Sequence, residues 1–422
     1  MRKIIVQKFG GTSVADTDKI KNVAKIVIRE KQNGNDVVVV VSAMGHTTDY
    51  LVKMARELCE NPSGREMDML LSTGEGVSIA LLAMAIQAQG YDAVSFNAMQ
   101  VGIMTENVHS KARIVDIKTE KLKENLREGK IIVIAGFQGV TEDGEITTLG
   151  RGGSDTSAVA LAAALNAERC DIYTDVEGVY TTDPRVVPNA SRLDEISYEE
   201  MLELAHAGAN VLHPRSVETA KQFSVPMRVR SSFKLDNLGT LILGVEKMEI
   251  YKPVTGVAED LSQARIVVCD VPDRPGVAGK IFSKLAKENI SVDMIIQSYA
   301  RKVSNTNDIA FTVDSSDLNK TVEALEALKS EIGATGDIQV DENIAKVSIV
   351  GAGMIDRPGV ASTMFETLAE QNINIRMIST SEIKISCLVD KADAQHAVKA
   401  LHKVFGLESE EIAEVKGDLP NV

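Results

Sequence analysis

Lys8–Ser13 reads KFGGTS and follows the apolar run KIIVQ (3–7), while Gly150–Asp155 reads GRGGSD and precedes the apolar stretch TSAVALAAAL (156–165). Each puts glycines, hydroxyls and one cation where a strand hands over to a helix. A helix start carries unpaired N–H groups and the positive end of the helix dipole, so it attracts anions. Glycines let the backbone come close to phosphate oxygens. Two such turns in one domain suit a reaction that joins one anion to another, as phosphoryl transfer to an acid does.

Outward from these turns, residues 3 to about 240 alternate short β-branched runs with helical patterns. The expected strands are IIVQKF, DVVVVVSA, YDAVSF, KIIVIAGF, CDIYTDV and VPMRVRSS. Between them lie helices such as TDKIKNVAKIVIREK, where Ile20, Val23, Ala24 and Val27 share a face. Strands apolar on both faces and separated by helices indicate a mostly parallel sheet covered on both sides, an α/β three-layer sandwich.

From Asp236 to Tyr251 the pattern changes, and an internal repeat follows. DRPGVAGKIFSKLAKENISVDMIIQS (273–298) aligns without gaps to DRPGVASTMFETLAEQNINIRMISTS (356–381), identical at 14 of 26 positions. Each copy follows a strand-like run and holds a DRPG turn, a helix and a second strand, so the copies read as duplicated βαβ-type units. The expected division is an α/β domain over 1–247 and a second region over 248–422, with repeats at about 265–340 and 345–422.

Composition bounds the rest. With 422 residues, 44% hydrophobic, there is material for two or three domains. A net charge of −14 argues against a nucleic-acid partner and leaves anionic ligands to local cations. Four scattered cysteines without a CxxC pair favour reduced thiols and a cytoplasmic location. The apolar runs fall short of the ~20 residues that span a bilayer, so no membrane partner is expected.

Several residues carry candidate chemistry. Lys8, at a strand end, is placed to hold a transferred phosphoryl group as a point charge. KFGG is neither GxxxxGK[ST] nor GxGxxG, and the HRD and DFG strings of protein kinases are absent. Arg151 offers a fork for a carboxylate beside exposed N–H groups. Asp155 either caps the helix or orients Lys8. In TDVEGVYTTDPRVVP (174–188), Thr174, Asp175, Tyr180 and Arg185 are suited to a nucleotide's ribose, base and phosphates. Glu75, opening the helix after STG (72–74), either stabilises that helix or pairs with a substrate ammonium. SAMGHTTD (42–49) ends a strand where parallel-sheet ligand sites lie. His46 and His213, without a second histidine at ligand spacing, are read as structural or incidental.

KFGGTS, SAMGHTTD, STGE (72–75), GFQG (136–139), GRGGSD and TDVEGVYTTDPR (174–185), followed by two DRPG repeats, resemble the aspartate kinases, amino-acid kinases with two C-terminal ferredoxin-like ACT domains. The resemblance spans essentially the whole chain. It implies ATP-dependent phosphorylation of the L-aspartate side-chain carboxylate to 4-phospho-L-aspartate, with Mg²⁺ bridging phosphates, at the first step of lysine, threonine and methionine biosynthesis. On this implication Lys8, Gly10 and Gly11 contact phosphates, and Lys8 and Asp155 are catalytic. Ser42, Thr47, Glu75, Arg151, Gly152 and Ser154 hold aspartate, with Glu75 on its ammonium and Arg151 on its α-carboxylate. Thr174, Asp175, Tyr180 and Arg185 bind the nucleotide. No side chain is singled out as a direct metal ligand. The family often reads GAKVLHP where this chain reads GANVLHP, placing Asn210 where a lysine contacts the nucleotide; either that contact loses its charge or Arg215 substitutes. The competing readings are another acceptor, such as an acylamino acid that Glu75 disfavours, and an amino-acid sensor without activity.

For the repeats, the resemblance implies side-by-side pairing into a homo-oligomer and feedback by lysine, threonine or both. Effector groups are expected at Asp273, Gly276, Val277, Ser291, Val292, Asp293 and Gln297 in the first copy, and at Asn374, Ile375, Thr380, Ser381 and Glu382 in the second. Some aspartokinases also make a shorter regulatory subunit from an internal start. Met248 sits at that boundary, although a linker methionine is the plainer reading.

Overall fold

The computed structural model describes residues 2–409 except 210, 235, 245–251, 299–304 and 356. Asn210 and Met248 therefore lie outside the described residues.

The catalytic part is built on an eight-stranded sheet. Its strands are β1 (Ile4–Phe9), β2 (Asp36–Val41), β3 (Ala93–Phe96), β4 (Ile131–Ala135), β5 (Arg169–Thr174), β6 (Glu195–Ser197), β7 (Met227–Ser231) and β8 (Thr240–Leu243). They lie in the order β6-β8-β7-β5-β1-β2-β4-β3. All pairings are parallel except β7 with β8. The central strands are buried on both faces, as their unbroken valine and isoleucine runs imply. Val6, Val38, Val40, Ile132 and Ile134 face one core, together with α5 (Gly153–Leu165). Val37, Val39, Val41, Ile131 and Val133 face the other, against α1 (Thr17–Gln32) and α4 (Thr73–Gln87). The alternation along each strand thus separates two helical layers, and the architecture is the expected three-layer sandwich. A small four-stranded sheet, built from Ile103–Thr105, Ile114–Ile117, Gln138–Val140 and Ile146–Thr148, stands beside it.

Helices α3 (Gly64–Leu71) and α4 together form a run long and apolar enough to cross a membrane by length and composition. Here α4 packs on α1 and the sheet, and the run carries buried Asp68 and Glu75. That is the use a soluble core makes of an apolar helix.

The first repeat runs strand Gln263–Pro272, helix Val277–Lys287, strand Ile295–Gln297, strand Thr306–Asp314, helix Leu318–Ile332, strand Ile338–Asp341. Its sheet order is second, third, first, fourth strand, which is the ferredoxin-like arrangement. The second strand expected in this copy is short, Ile295–Gln297. The second repeat has strands Ile344–Val350, Met377–Thr380 and Lys384–Asp390 with helices Val360–Glu370 and Ala394–Val404. Its fourth place is taken by Gly256–Asp260, which precedes the first repeat and pairs antiparallel with Ile344–Val350. The second unit is therefore assembled from both sides of the first.

Candidate active site

Parallel pairing of β1 with β2 and β5 puts Phe9 level with Val41 and with Tyr173. The turns after the three strands consequently leave the sheet side by side, where ligands of open α/β sheets bind. Phe9 and Tyr173 stack with ring centroids 4.6 Å apart, fixing the floor beneath them. After β1 the chain passes Gly10 into a short 3-10 turn, Gly11–Val14. A Cβ on Gly11 would stand 2.8 Å from Ala43 O and 3.0 Å from Gly45 O, so only glycine lets these two turns touch.

Lys8 Nζ lies 2.6 Å from Asp155 Oδ1, and both side chains are largely buried. Of the two placements the sequence left open for Asp155, the geometry shows the one beside Lys8. Asp155 does not cap α5, whose N-cap is Gly152 without a side-chain bond; it holds the lysine. Gly152 has φ +66°, and a Cβ there would come within 2.2 Å of the His213 ring. His213, otherwise an N-cap residue, thereby packs against the GRGGSD turn.

Lys8 and Arg151 open onto one cavity of about 1050 Å³, lined also by Gly11, Ser42, Glu75, Gly152, Ser154 and Asp155. Thr47 does not line it: its hydroxyl donates to Met44 O (2.6 Å), and Thr48 takes the wall position instead. Glu75 is 2% exposed. Ala43 N–H donates to its Oε1 (3.2 Å), while Oε2 is buried without a hydrogen-bond partner among the described residues. Burial pushes its carboxyl up to about 7. A buried acid with one unsatisfied oxygen facing a cavity is suited to an incoming cationic group.

The nucleotide candidates lie elsewhere. Thr174, Asp175, Tyr180 and Arg185 do not line this cavity. Thr174 ends β5, and its hydroxyl donates to Asp175 Oδ1 (3.0 Å). Tyr180 is half-buried in the following loop, where it bridges to Arg192. Arg185 is already paired, its Nε and Nη2 donating to Asp183 at 2.9 and 2.6 Å. Level with Thr174 stands Ser231 of β7, and Ser232 Oγ lies 2.6 Å from Ser13 Oγ of the first glycine turn. Sequence reading missed the Ser231–Ser232 edge, along with Ser110, Lys111, Phe137, Thr148 and the α2 (Thr47–Leu58) wall of the cavity. Among the described residues no cluster of three or more histidine, cysteine or acidic side chains forms a metal cage.

The regulatory half touches the catalytic half at several polar points. Glu200, buried at the start of α6 (Tyr198–His206), accepts from Thr255 Oγ1 (2.6 Å) and Ala352 N–H (2.9 Å). Thr181 Oγ1 is 2.8 Å from the buried His402 Nε2, and burial lowers that imidazole's pKa. Buried Lys346 of the second repeat donates to Asp293 Oδ2 of the first (2.5 Å) and to His206 O at the end of α6 (3.2 Å). Asp293, expected at an effector site, is thus an ion-pair partner. Asp273 accepts from Asn307 Nδ2 (3.2 Å), and Gly276 (φ +92°) precedes the helix beginning at Val277. Ser291, Val292 and Gln297 line the edge of the first repeat's sheet, and Gln297 belongs to its edge strand. Thr380 ends the corresponding edge strand of the second repeat, and Asn374, Ile375, Ser381 and Glu382 flank it, where Ser381 N–H donates to Lys384 O.

A parallel-sheet sandwich with an ion-paired lysine and an arginine on facing glycine turns, followed by paired ferredoxin-like units, defines a class. A model of the amino acid kinase family matches residues 3–231, and ACT-domain models match 265–333 and 347–405. The chain belongs to the amino acid kinase family and carries two ACT domains. The aspartokinase of Geobacillus stearothermophilus is 54% identical over 98% of this chain and 99% of its own length. Aspartokinase 2 of Bacillus subtilis is 54% identical over 96% and 98%. Among solved structures, E. coli aspartokinase III in complex with aspartate and ADP (R-state) matches with a TM-score of 0.81 at 31% identity, covering 95% of this chain and 99% of that one. The same enzyme in complex with lysine and aspartate (T-state) matches with a TM-score of 0.74 at 31% identity, again covering 95% and 99%. Within its family the chain is a member of the aspartokinases, kinases whose acceptor is a carboxyl group.

Proposed function

We propose that the cavity between the two glycine turns is where the γ-phosphoryl of ATP meets the side-chain carboxylate of L-aspartate. The observation that carries this reading is the opening of Lys8 and Arg151 onto one cavity with the buried Glu75 between their turns. A carboxylate with a pKa near ~4 is ionised at neutral pH, so no general base is required. What opposes reaction is repulsion between two anions, and catalysis is neutralisation and alignment. Lys8, set by Asp155, faces the phosphoryl group; Gly10 and Gly11 offer backbone N–H groups to the phosphates. Arg151 takes the α-carboxylate, Glu75 the ammonium, and Ser42, Gly152 and Ser154 complete the acceptor wall. Thr174, Asp175 and Tyr180 carry the nucleotide, with Arg185 joining them on exchanging Asp183 for a phosphate. Mg²⁺, arriving with ATP, would be held by phosphates and water near Asp155 and Asp175, and supplies charge neutralisation.

The product, 4-phospho-L-aspartate, begins lysine, threonine and methionine biosynthesis in this reading, and lysine, threonine or both feed back through the ACT domains. Side-by-side pairing of the repeats into a homo-oligomer is supported by exposed Ile295, Ile296 and Ile378 on their edge strands. Four scattered cysteines without a CxxC pair suit the cytoplasm. The test is ADP release by the purified protein with ATP, Mg²⁺ and a panel of amino acids, repeated with lysine and threonine added. Aspartate alone should support turnover, and an effector should suppress it; activity with an N-acetylated acceptor and none with aspartate would overturn the assignment.

A further inference from the structure

Residues 109–112 form a strap along the acceptor side of the cavity, held there by one fully buried carboxylate and one half-buried guanidinium. Asp68 is fully buried. Its oxygens accept from Ser110 N–H (2.9 and 3.1 Å), from His109 Nδ1 (2.9 Å) and from Thr148 Oγ1 (2.6 Å). On the other side of Lys111, Ala112 N–H donates to Thr148 O (3.0 Å) and Ala112 O accepts from Arg215 Nη2 (3.0 Å). Arg215 Nη1 donates in addition to Leu149 O, one residue before the GRGGSD turn. The strap touches that turn directly, since a Cβ on Gly150 would stand 2.9 Å from Ser110 O and 3.8 Å from Lys111 Cα. Burying a carboxylate is costly unless its bonds are made, and Asp68 and the half-buried Arg215 spend theirs on this strap and on residues 148–149.

The residue so placed is Lys111. It lines the cavity beside Arg151, and neither has an ion-pair partner among the described residues. Two unpaired cations on adjoining, fastened backbones suit one anionic group better than a polyphosphate lying across the opposite turn. We propose that Lys111 is a second cation for the acceptor's α-carboxylate, acting with Arg151, and that Asp68 is the positioning residue that sets it. The inference rests on the acceptor orientation given above.

Lys111→Met and Arg151→Met are compared with aspartate and with aspartate α-amide, which lacks the charge at that carboxyl. Lys111→Met should raise the KM for aspartate about tenfold, the scale of losing one charge-assisted contact. Its kcat and its KM for ATP should stay within about twofold on the same scale, and the loss should vanish with the α-amide. Lys111→Arg should restore most of the affinity. Asp68→Asn should raise the aspartate KM in the same way and add nothing in the Lys111→Met background. An unchanged aspartate KM in Lys111→Met, or an equal loss with the α-amide, overturns the role of Lys111; additive losses overturn that of Asp68. If the acceptor orientation itself is wrong, Arg151→Met loses as much with the α-amide as with aspartate. Because Lys111 is exposed, its variants remain decisive even if Asp68→Asn does not fold.

Discussion

Glu75 is expected to trade stability for binding, and its environment sets the size of the trade. Its carboxyl is raised from 4.5 to about 7, with burial the leading cause. The gap, at 1.36 kcal/mol per unit, makes an ionised Glu75 in the empty site cost about 3 kcal/mol. The folded pKa lies above the unfolded one, so the favourable, protonated form is fully present below about 4.5, and its benefit is lost as pH rises through about 7. Glu75→Gln keeps the shape without the charge. The empty variant should match the parent protein near pH 5 and exceed it above pH 8 by up to about 3 kcal/mol, read as the shift of the urea unfolding midpoint. The same charge is what an ammonium needs. Glu75→Gln should therefore lose measurable aspartate binding, and the parent's affinity should fall about tenfold per pH unit below 7. Calorimetry in two buffers of different ionisation enthalpy should show about half a proton released on binding at pH 7. A stability gap of the same size at pH 5 and pH 8.5 would refute the reasoning.

Lys8→Ala should lower kcat on the order of 10²-fold or more, the cost typical of losing one preorganised charge donor, and steady-state rates at saturating ATP and aspartate check it. Asp155→Asn keeps the lysine but not its partner, so its kcat should fall less than in Lys8→Ala under the same assay. Gly152→Ala forces a methyl into the His213 ring at φ +66°; it should raise the aspartate KM, and His213→Ala in the same chain should recover part of the loss. Lys346→Met should leave uninhibited turnover intact and let lysine or threonine still bind by calorimetry, yet weaken their inhibition, because it cuts the tie from Asp293 to His206 O.

The kinase sheet was legible because its signal is local. Valine runs two faces deep and helices of period 3.6 report on neighbours a few residues away, and the two glycine turns announce themselves by composition. The Lys8–Asp155 pair could be posed as an alternative from sequence, but choosing needed the juxtaposition of β1 with α5. The strap at 109–112 was invisible, since NVHSKAR contains no glycine and its position depends on Asp68, 42 residues from Ser110, and on Thr148, 80 residues from Asp68. That Thr48 rather than Thr47 lines the cavity was hidden for a related reason. Both Thr47 and Thr48 start a helix, and only the hydrogen bond to Met44 O tells which is spent internally. The repeat was plain as identity, whereas its sheet was not. GVAED (256–260) pairs with Val350 and its neighbours across the whole first repeat, and periodicity carries no information over that distance.

That rearranged sheet bears on how an effector reaches the chemistry. Past the last helix of the second repeat, the described residues, which end at Ser409, run to the loop after β5. Leu407 O accepts from Ser191 N–H and from Thr181 Oγ1, and Ser409 N–H donates to Asn189 O. The chain thereby fastens the loop that carries Tyr180 and Arg185. The fourth place in the second repeat's sheet is taken by 256–260, whose Val257 N–H donates to Thr181 O (2.7 Å). Both segments converge on Thr181, so the loop after β5 is bracketed by regulatory backbone on two sides. At the other end of the sheet, Lys346 ties Asp293 to the end of α6, from which the chain runs through 207–212 to His213 against Gly152. A ligand that favours one spacing of the two repeats can thus bear on the loop after β5 through Thr181 and on the GRGGSD turn through His213. It shifts turnover only by as much as it prefers one arrangement over the other. If Lys346→Met removed inhibition of acceptor binding while Thr181→Val removed that of nucleotide binding, the two routes would be separable. If either substitution abolished both, the loop and the turn would move as one body.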